Sequence, residues 1–172
     1  MDFNRQPVLE DDHVLITPLM EEHFDQLYEV ARDPILWIHH PISNGYEAET
    51  FKVFFRKAIE IGSLLIVDKI TSKAIGSTRF YNYSKDESSV VIGQTFYAKA
   101  YWGTGYNTRV KALMLKYAFN FVQKIIFLVI INNFRSRKAI EKLGAVTQKE
   151  MTWEVDGRKL KCVVYELIKN VS

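Results

Sequence analysis

Apolar and polar positions along the chain switch between two periods. After a polar start, residues 14–19 form a short apolar run, a predicted strand that ends at Pro18. Residues 21–32 then carry Phe24, Leu27, Tyr28 and Ala31 on one helical stripe, with acidic residues in the first turn, where the helix dipole favours them. Asp33 and Pro34 close that helix, and a looser stretch follows through Trp37, His39, His40, Pro41 and Gly45. A second helix is predicted from about residue 47; Phe51, Phe54, Phe55 and Ala58 share one face and Gly62 ends it. Three extended runs come next, at 64–70, 74–83 and 89–97, and the polar segments 71–73 and 85–88 between them have the length of hairpin connections. That is an antiparallel meander.

Helical spacing returns over 108–122, with Val110, Leu113, Met114, Tyr117 and Phe121 on one stripe and Arg109, Lys116 and Asn120 on the other side. Residues 125–131 are continuously apolar, which predicts a strand buried on both faces. A short helix over 134–143 stops at Gly144, a residue suited to a left-handed C-cap. Two final strands, 147–155 and 160–168, join through Asp156-Gly157, a strong hairpin signal. The order is strand, two helices, three strands, helix, strand, helix, two strands. It predicts an α/β (mixed α+β) fold: a mostly antiparallel sheet of seven strands flanked by helices, with one parallel crossover through the 108–122 helix.

Composition narrows the classes without choosing among them. The 172 residues are 48% hydrophobic and 25% charged, with no low-complexity segment, repeat or linker, and one domain spanning 1–172 is expected. No run approaches the roughly 18 apolar residues of a membrane span, and the acidic start is unlike a secretory leader, so a cytoplasmic protein with no membrane partner is expected. Residues 1–86 hold 9 Lys/Arg against 14 Asp/Glu, and residues 87–172 hold 14 against 6, giving halves of −5 and +8. The basic residues of the second half are scattered through apolar runs, which fits an anionic cofactor of modest size, or a merely solvated face, better than nucleic acid. The lone Cys162 sits in an alternating strand pattern and reads as a packing residue. The four histidines show no metal-ligand spacing, and no metal is expected.

Candidate chemistry lies at two places. Trp102-Gly103-Thr104-Gly105-Tyr106-Asn107-Thr108 falls between a strand and an amphipathic helix, so its backbone N–H groups can face an anion at the positive end of the dipole. A side chain at either glycine would keep phosphate oxygens from the main chain, although a purely structural turn is equally consistent with the pattern. A dinucleotide fingerprint would need glycine at Thr108, and a P-loop would need Gly-Lys-Ser/Thr; neither is present. The second place is Asn133-Phe134-Arg135-Ser136, at the C-terminal end of the 125–131 strand, the edge where open α/β sheets bind ligands. Asn133 is equally suited to cap the following helix, and Ser136 to satisfy its backbone.

These two motifs, with Ile92-Gly93-Gln94-Thr95-Phe96 before the first and Lys142-Leu143-Gly144-Ala145 after the second, resemble the GNAT superfamily of N-acetyltransferases, in the branch related to the ribosomal-protein N-terminal (alanine) acetyltransferases. The resemblance implies that the central parallel strands splay into a V. It implies that main-chain N–H groups over 103–108 hold the pyrophosphate of acetyl-CoA, in a turn opened by Trp102, and that Thr95, Phe96 and Tyr97 pair with the pantetheine arm. It further implies that Asn133 contacts the pantetheine and that Ser136 protonates the departing thiolate. Many relatives place Glu where this chain has Val91, so the resemblance names no general base.

The expected activity is therefore transfer of an acetyl group from acetyl-CoA to a primary amine, a protein N-terminus or a small molecule, by direct attack, with a strand N–H near Phe96 stabilising the oxyanion. A homodimer is left open. The alternative that Val91 favours is an acyl-CoA sensor that binds without turnover. The acceptor wall is expected from the early helices, from Trp37, His39, His40 and Tyr46, and from the last hairpin at 153–158.

Overall fold

A computed structural model describes residues 2–40, 42–155 and 157–170. Its centre is a mixed sheet built from β1 (Leu9–Glu10), β2 (Val14–Pro18), β3 (Leu64–Asp68), β4 (Lys73–Ser84), β5 (Ser89–Tyr97), β6 (Lys124–Ile130), β7 (Val146–Val155) and β8 (Arg158–Ile168), in the order β1-β2-β3-β4-β5-β6-β8-β7. Seven of these strands are those the pattern predicts. The eighth, β1, is two residues long and too short to show a period. It pairs with β2 because Asp11 turns the chain, its carboxylate accepting from the His13 and Val14 amides at 2.8 Å each. The turn between β7 and β8 includes Asp156, which lies outside the described residues, as does Pro41.

Helices cover both faces. On one side α1 (Phe24–Ala31) and α2 (Ala48–Glu60) bury Leu27, Val30, Phe51 and Phe55 with Trp37 against Leu65, Ala74 and Phe96. On the other, α3 (Tyr106–Ala118) and α4 (Phe134–Glu141) bury Val110, Met114 and Ile140 against Val14, Leu64, Ile66, Val90, Ile92 and Phe127. Leu64 and Ile66 thus face one layer and Leu65 the other, the period of two that a strand imposes. The 125–131 run is buried on one face only: Ile125, Phe127 and Val129 are enclosed, while Ile126, Leu128 and Ile130 are half-buried. The physical reason is that the first helical layer packs over β3, β4 and the end of β5, leaving that side of β6 partly open.

Two features of β5 shape the site. It pairs in parallel with β6 only at Ser89↔Lys124, Val90↔Ile125 and Val91↔Ile126. Beyond Val91 the two strands diverge, which is the predicted V. In addition, the β4–β5 register shifts by one residue between Arg79↔Gly93 and Ser77↔Phe96, and Gln94 sits in the gap at φ 49. An extra residue in one strand reverses facing parity. Ile92 faces α3, and after the bulge Thr95 and Tyr97 do so, while Gln94 and Phe96 turn to the α2 side.

Candidate active site

The glycine turn precedes α3, which starts at Tyr106, two residues before the predicted start, with Gly105 as its N-cap. Gly103 and Gly105 have φ of 74 and 91, values that side chains rarely tolerate, and a Cβ built on either would meet nothing within 4 Å. The Arg109 N–H donates to the Gly105 carbonyl and the Trp102 N–H to Lys99. Between them, the six consecutive amides of residues 103–108 donate to no described residue. Three of them are the first helical amides, which have no intrahelical acceptor in any helix. They lie in a solvent-exposed stretch at the positive end of the α3 dipole, as an anion cradle requires.

Side chains hold this turn open. Asp68, at the end of β3 and buried, accepts from the hydroxyls of Tyr101 (2.9 Å), Tyr106 (2.8 Å) and Thr71 (2.8 Å) and from the Ile70 amide (3.0 Å). Burial alone would raise its pKa, but these four donors outweigh it and bring the carboxyl down to about 2. Tyr101 and Tyr106 stand on either side of the turn, so one carboxylate clamps both of its ends. The Trp102 indole donates to the Tyr97 carbonyl at 2.9 Å, fixing the turn to the end of β5.

The second motif meets the first. The Arg135 guanidinium lies over the Trp102 ring at 3.4 Å from its centroid, so the start of α4 abuts the glycine turn and adds a cation beside it. Asn133 is the N-cap of α4, its side chain accepting from the Ser136 amide at 3.2 Å. The Ser136 hydroxyl makes no hydrogen bond to a described residue and is half-buried. Thr95, Phe96 and Tyr97 border the opening of the V. Because the Ala98 N–H donates to Ile75 of β4, and donors alternate along a strand, the Thr95 and Tyr97 amides point away from β4 toward that opening. The Tyr97 hydroxyl is buried without a partner among the described residues, and burial pushes its pKa upward.

Several participants carry no motif. Lys111, in the second turn of α3, is 3% exposed and donates to the Thr95 hydroxyl at 2.8 Å, which shares a further 2.8 Å contact with Thr78. Burial lowers its pKa to about 7. Its charge on a helix face otherwise carrying Val110 and Met114 is the one signal the sequence offers. On the opposite face, a cavity of about 250 Å³ lies between α2 and strands β4 and β5, lined in part by His40, Phe54, Glu60, Ser77, Arg79 and Gln94. Of the expected acceptor wall, His40 is there. Trp37 is a core residue instead, 1% exposed, with its indole donating to the Ala31 carbonyl. The last hairpin reaches the same region, where Arg158 donates to the Ser43 hydroxyl at 3.3 Å. Cys162 is buried in β8. Val91 is buried too, at the last parallel pair before the V opens.

Fold and site together define an α/β protein that offers an anion a row of main-chain donors beside two diverging parallel strands. Comparison with known proteins agrees. Residues 13–146 match the family model described as "Acetyltransferase (GNAT) domain". Among solved structures, the chain superposes on a GCN5-related N-acetyltransferase from Brucella melitensis with a TM-score of 0.87 at 16% identity, covering 96% of this chain and 80% of that one. It superposes on the ribosomal-protein-S5-alanine acetyltransferase from Vibrio fischeri with a TM-score of 0.72 at 17% identity, covering 95% and 97%. A third match is the microcin C7 self-immunity acetyltransferase MccE in complex with acetyl-CoA and AMP, with a TM-score of 0.78 at 14% identity, covering 92% and 94%. No curated protein matches the chain. The chain belongs to the GNAT acetyltransferase family and is an acyltransferase. That family membership implies acetyl transfer from acetyl-CoA.

Proposed function

We propose that this protein transfers the acetyl group of acetyl-CoA directly to a primary amine, with residues 103–108 holding the pyrophosphate and the V between β5 and β6 admitting the pantetheine. The observation that carries this reading is the run of six uncommitted amides at the head of α3, next to the point where the strands part. An apolar turn would bury or pair such donors; leaving them ready for an anion is what binding requires.

In the reaction, the neutral amine nitrogen attacks the thioester carbonyl carbon. Charge builds on the carbonyl oxygen, and the Tyr97 amide, pointing into the V, is a donor for it. Such a donor contributes roughly 3–4 kcal/mol where one has been removed from an enzyme. The C–S bond then breaks, the thiolate takes a proton from the Ser136 hydroxyl, and solvent restores that proton. The amine gives up its own proton to water in the cavity, since Val91 offers no base. Holding both reactants in place supplies much of the remaining acceleration.

Ser136→Ala tests the acid role. Single-turnover rates with acetyl-CoA and a saturating amine should fall about 100-fold or more, the low end of what a positioned acid contributes, with coenzyme A affinity unchanged. An unaltered rate with chemistry limiting removes Ser136 from the mechanism. Tight coenzyme A binding with no transfer to any amine in a broad panel would select the sensor reading.

A further inference from the structure

We propose that the acceptor amine bears a carboxylate or phosphate on a short tether, and that Arg79 receives this anion in the cavity between α2 and strands β4 and β5. The inference rests on the acetyl-transfer reading above and names the substrate class of that same site.

Arg79 is the observation from which it follows. Its side chain is half-buried, its Nε is fully enclosed with no partner, and it forms no hydrogen bond or ion pair with any described residue. Its guanidinium carbon lies 4.9 Å from the centre of the Tyr81 ring, which attracts a cation without neutralising it. A cation partly withdrawn from water, with one N–H enclosed and no counterion among the described residues, carries a desolvation cost that nothing in the fold offsets. A lysine could relieve the cost by losing its proton. Burial lowers the pKa of Arg79 as well, but from so high an ordinary value that it stays charged at neutral pH. Glu60 lines the same cavity without pairing with it. A ligand anion would complete the site.

The surroundings fit that role. His40 accepts from the Ile42 amide through Nδ1 at 3.1 Å, and burial, with Arg79 nearby, pushes its pKa down to about 4. It is therefore neutral at pH 7 with its proton on Nε2, a second donor in the cavity and no competing base. The location fits as well. Arg79 pairs in register with Gly93, and Gln94, which lines the cavity, immediately precedes Thr95 and Phe96 at the mouth of the V. An acceptor anchored at Arg79 thus has its amine within a few ångströms of the strand that borders the thioester. At about 250 Å³ the cavity takes a small molecule or the end of a chain.

The test compares matched amines: phenethylamine with phenylalanine, ethanolamine with phosphoethanolamine, and glucosamine with glucosamine 6-phosphate. The wild type should favour the anionic member of at least one pair about 10- to 100-fold in kcat/KM, the range of hydrogen bonds to charged groups. Arg79→Gln should abolish that preference and Arg79→Lys restore part of it, with coenzyme A affinity unchanged in both. A preference for the uncharged members throughout, or an equal loss on all members in Arg79→Gln, overturns the proposal. A second readout needs no turnover. The Arg79 Nε–H resonance, in protein saturated with coenzyme A, should shift with phenylalanine or phosphoethanolamine and not with phenethylamine or ethanolamine; no shift with any of them also overturns it. Failure of coenzyme A to bind would sink the transferase reading instead, and is seen separately.

Discussion

The two faces of the sheet present hydrogen-bond donors by opposite means. On the α3 face the donors are main-chain amides, held in place by positive φ at Gly103 and Gly105 and by the buried Asp68 carboxylate, whose charge four hydrogen-bond donors satisfy within the fold. On the α2 face the donor is a side chain, Arg79, half-buried with its Nε enclosed and no counterion among the described residues. A backbone cradle is built for a ligand part that never varies, because it reads only charge and shape. A lone guanidinium can be lost or moved by one substitution, which suits the variable partner of a reaction whose other substrate is fixed.

Breaking the backbone cradle should have the largest effect. Gly105→Val places a β-branched residue at φ 91 and sets its side chain in the space over the amides. Coenzyme A affinity measured by calorimetry should fall at least about 100-fold, or roughly 2.7 kcal/mol, at a temperature where the variant is still folded; its melting temperature also falls, because φ 91 strains any side chain even though a Cβ there meets no protein atom. Unchanged affinity would mean that the amides of 103–108 do not hold the pyrophosphate. Asp68→Asn attacks the clamp. Its carboxyl titrates near 2 in the fold against 3.8 unfolded, so the unfolded chain binds more protons in that interval. The stabilisation is complete above pH 3.8 and is lost as pH falls through 2. At pH 7 the variant should be about 2 kcal/mol less stable, the scale of a charge-assisted hydrogen bond, and should bind coenzyme A several-fold more weakly. In urea titrations the gap between the two proteins should narrow by about half from pH 7 to pH 3 and close only below about pH 2, where the folded carboxylate is protonated too.

The same contrast decides what was legible in the sequence. The glycine turn before α3 was, because Gly103 to Thr108 is one short segment whose glycines, flanking strand and following helix are local facts. The strand and helix order was legible for the same reason, through periods of 2 and 3.6. The Asp68 clamp joins residues 33 and 38 positions apart, and no local pattern marks an aspartate at a strand end as a partner of two tyrosines. The bulge at Gln94 was invisible in a run that reads as one strand, yet it determines that Thr95 faces Lys111 while Gln94 faces the cavity. Arg79 sits in an extended segment among Ser77, Thr78 and Phe80, where a charge reads as a solvated position; only the packing of α2 encloses it. The burial of β6 was overread because a continuous apolar run does not reveal whether a helix lies over its second face.

Lys111 sharpens the comparison by the smallest expected margin. Lys111 is buried and Arg79 half-buried, one on each side of the sheet, and neither has a carboxylate partner among the described residues. Lys111 can discharge its burden by deprotonating, since burial brings its pKa from 10.5 to about 7. Between those values the unfolded chain holds more protons, so wild-type stability should rise as pH climbs from 7 toward 10.5 and fall as pH drops toward 7. Lys111→Met removes the ionisable group and keeps a similar shape. It should flatten that slope and raise stability at pH 7 by about 1 kcal/mol, the low end of what replacing buried charge with packed apolar groups achieves. Arg79→Met should show no slope change over the same interval, because the guanidinium keeps its proton throughout. If Lys111→Met instead destabilises the protein at pH 7 and leaves the slope intact, Lys111 is charged and paired in solution, and a buried cation on the α3 face is no guide to the one on the α2 face.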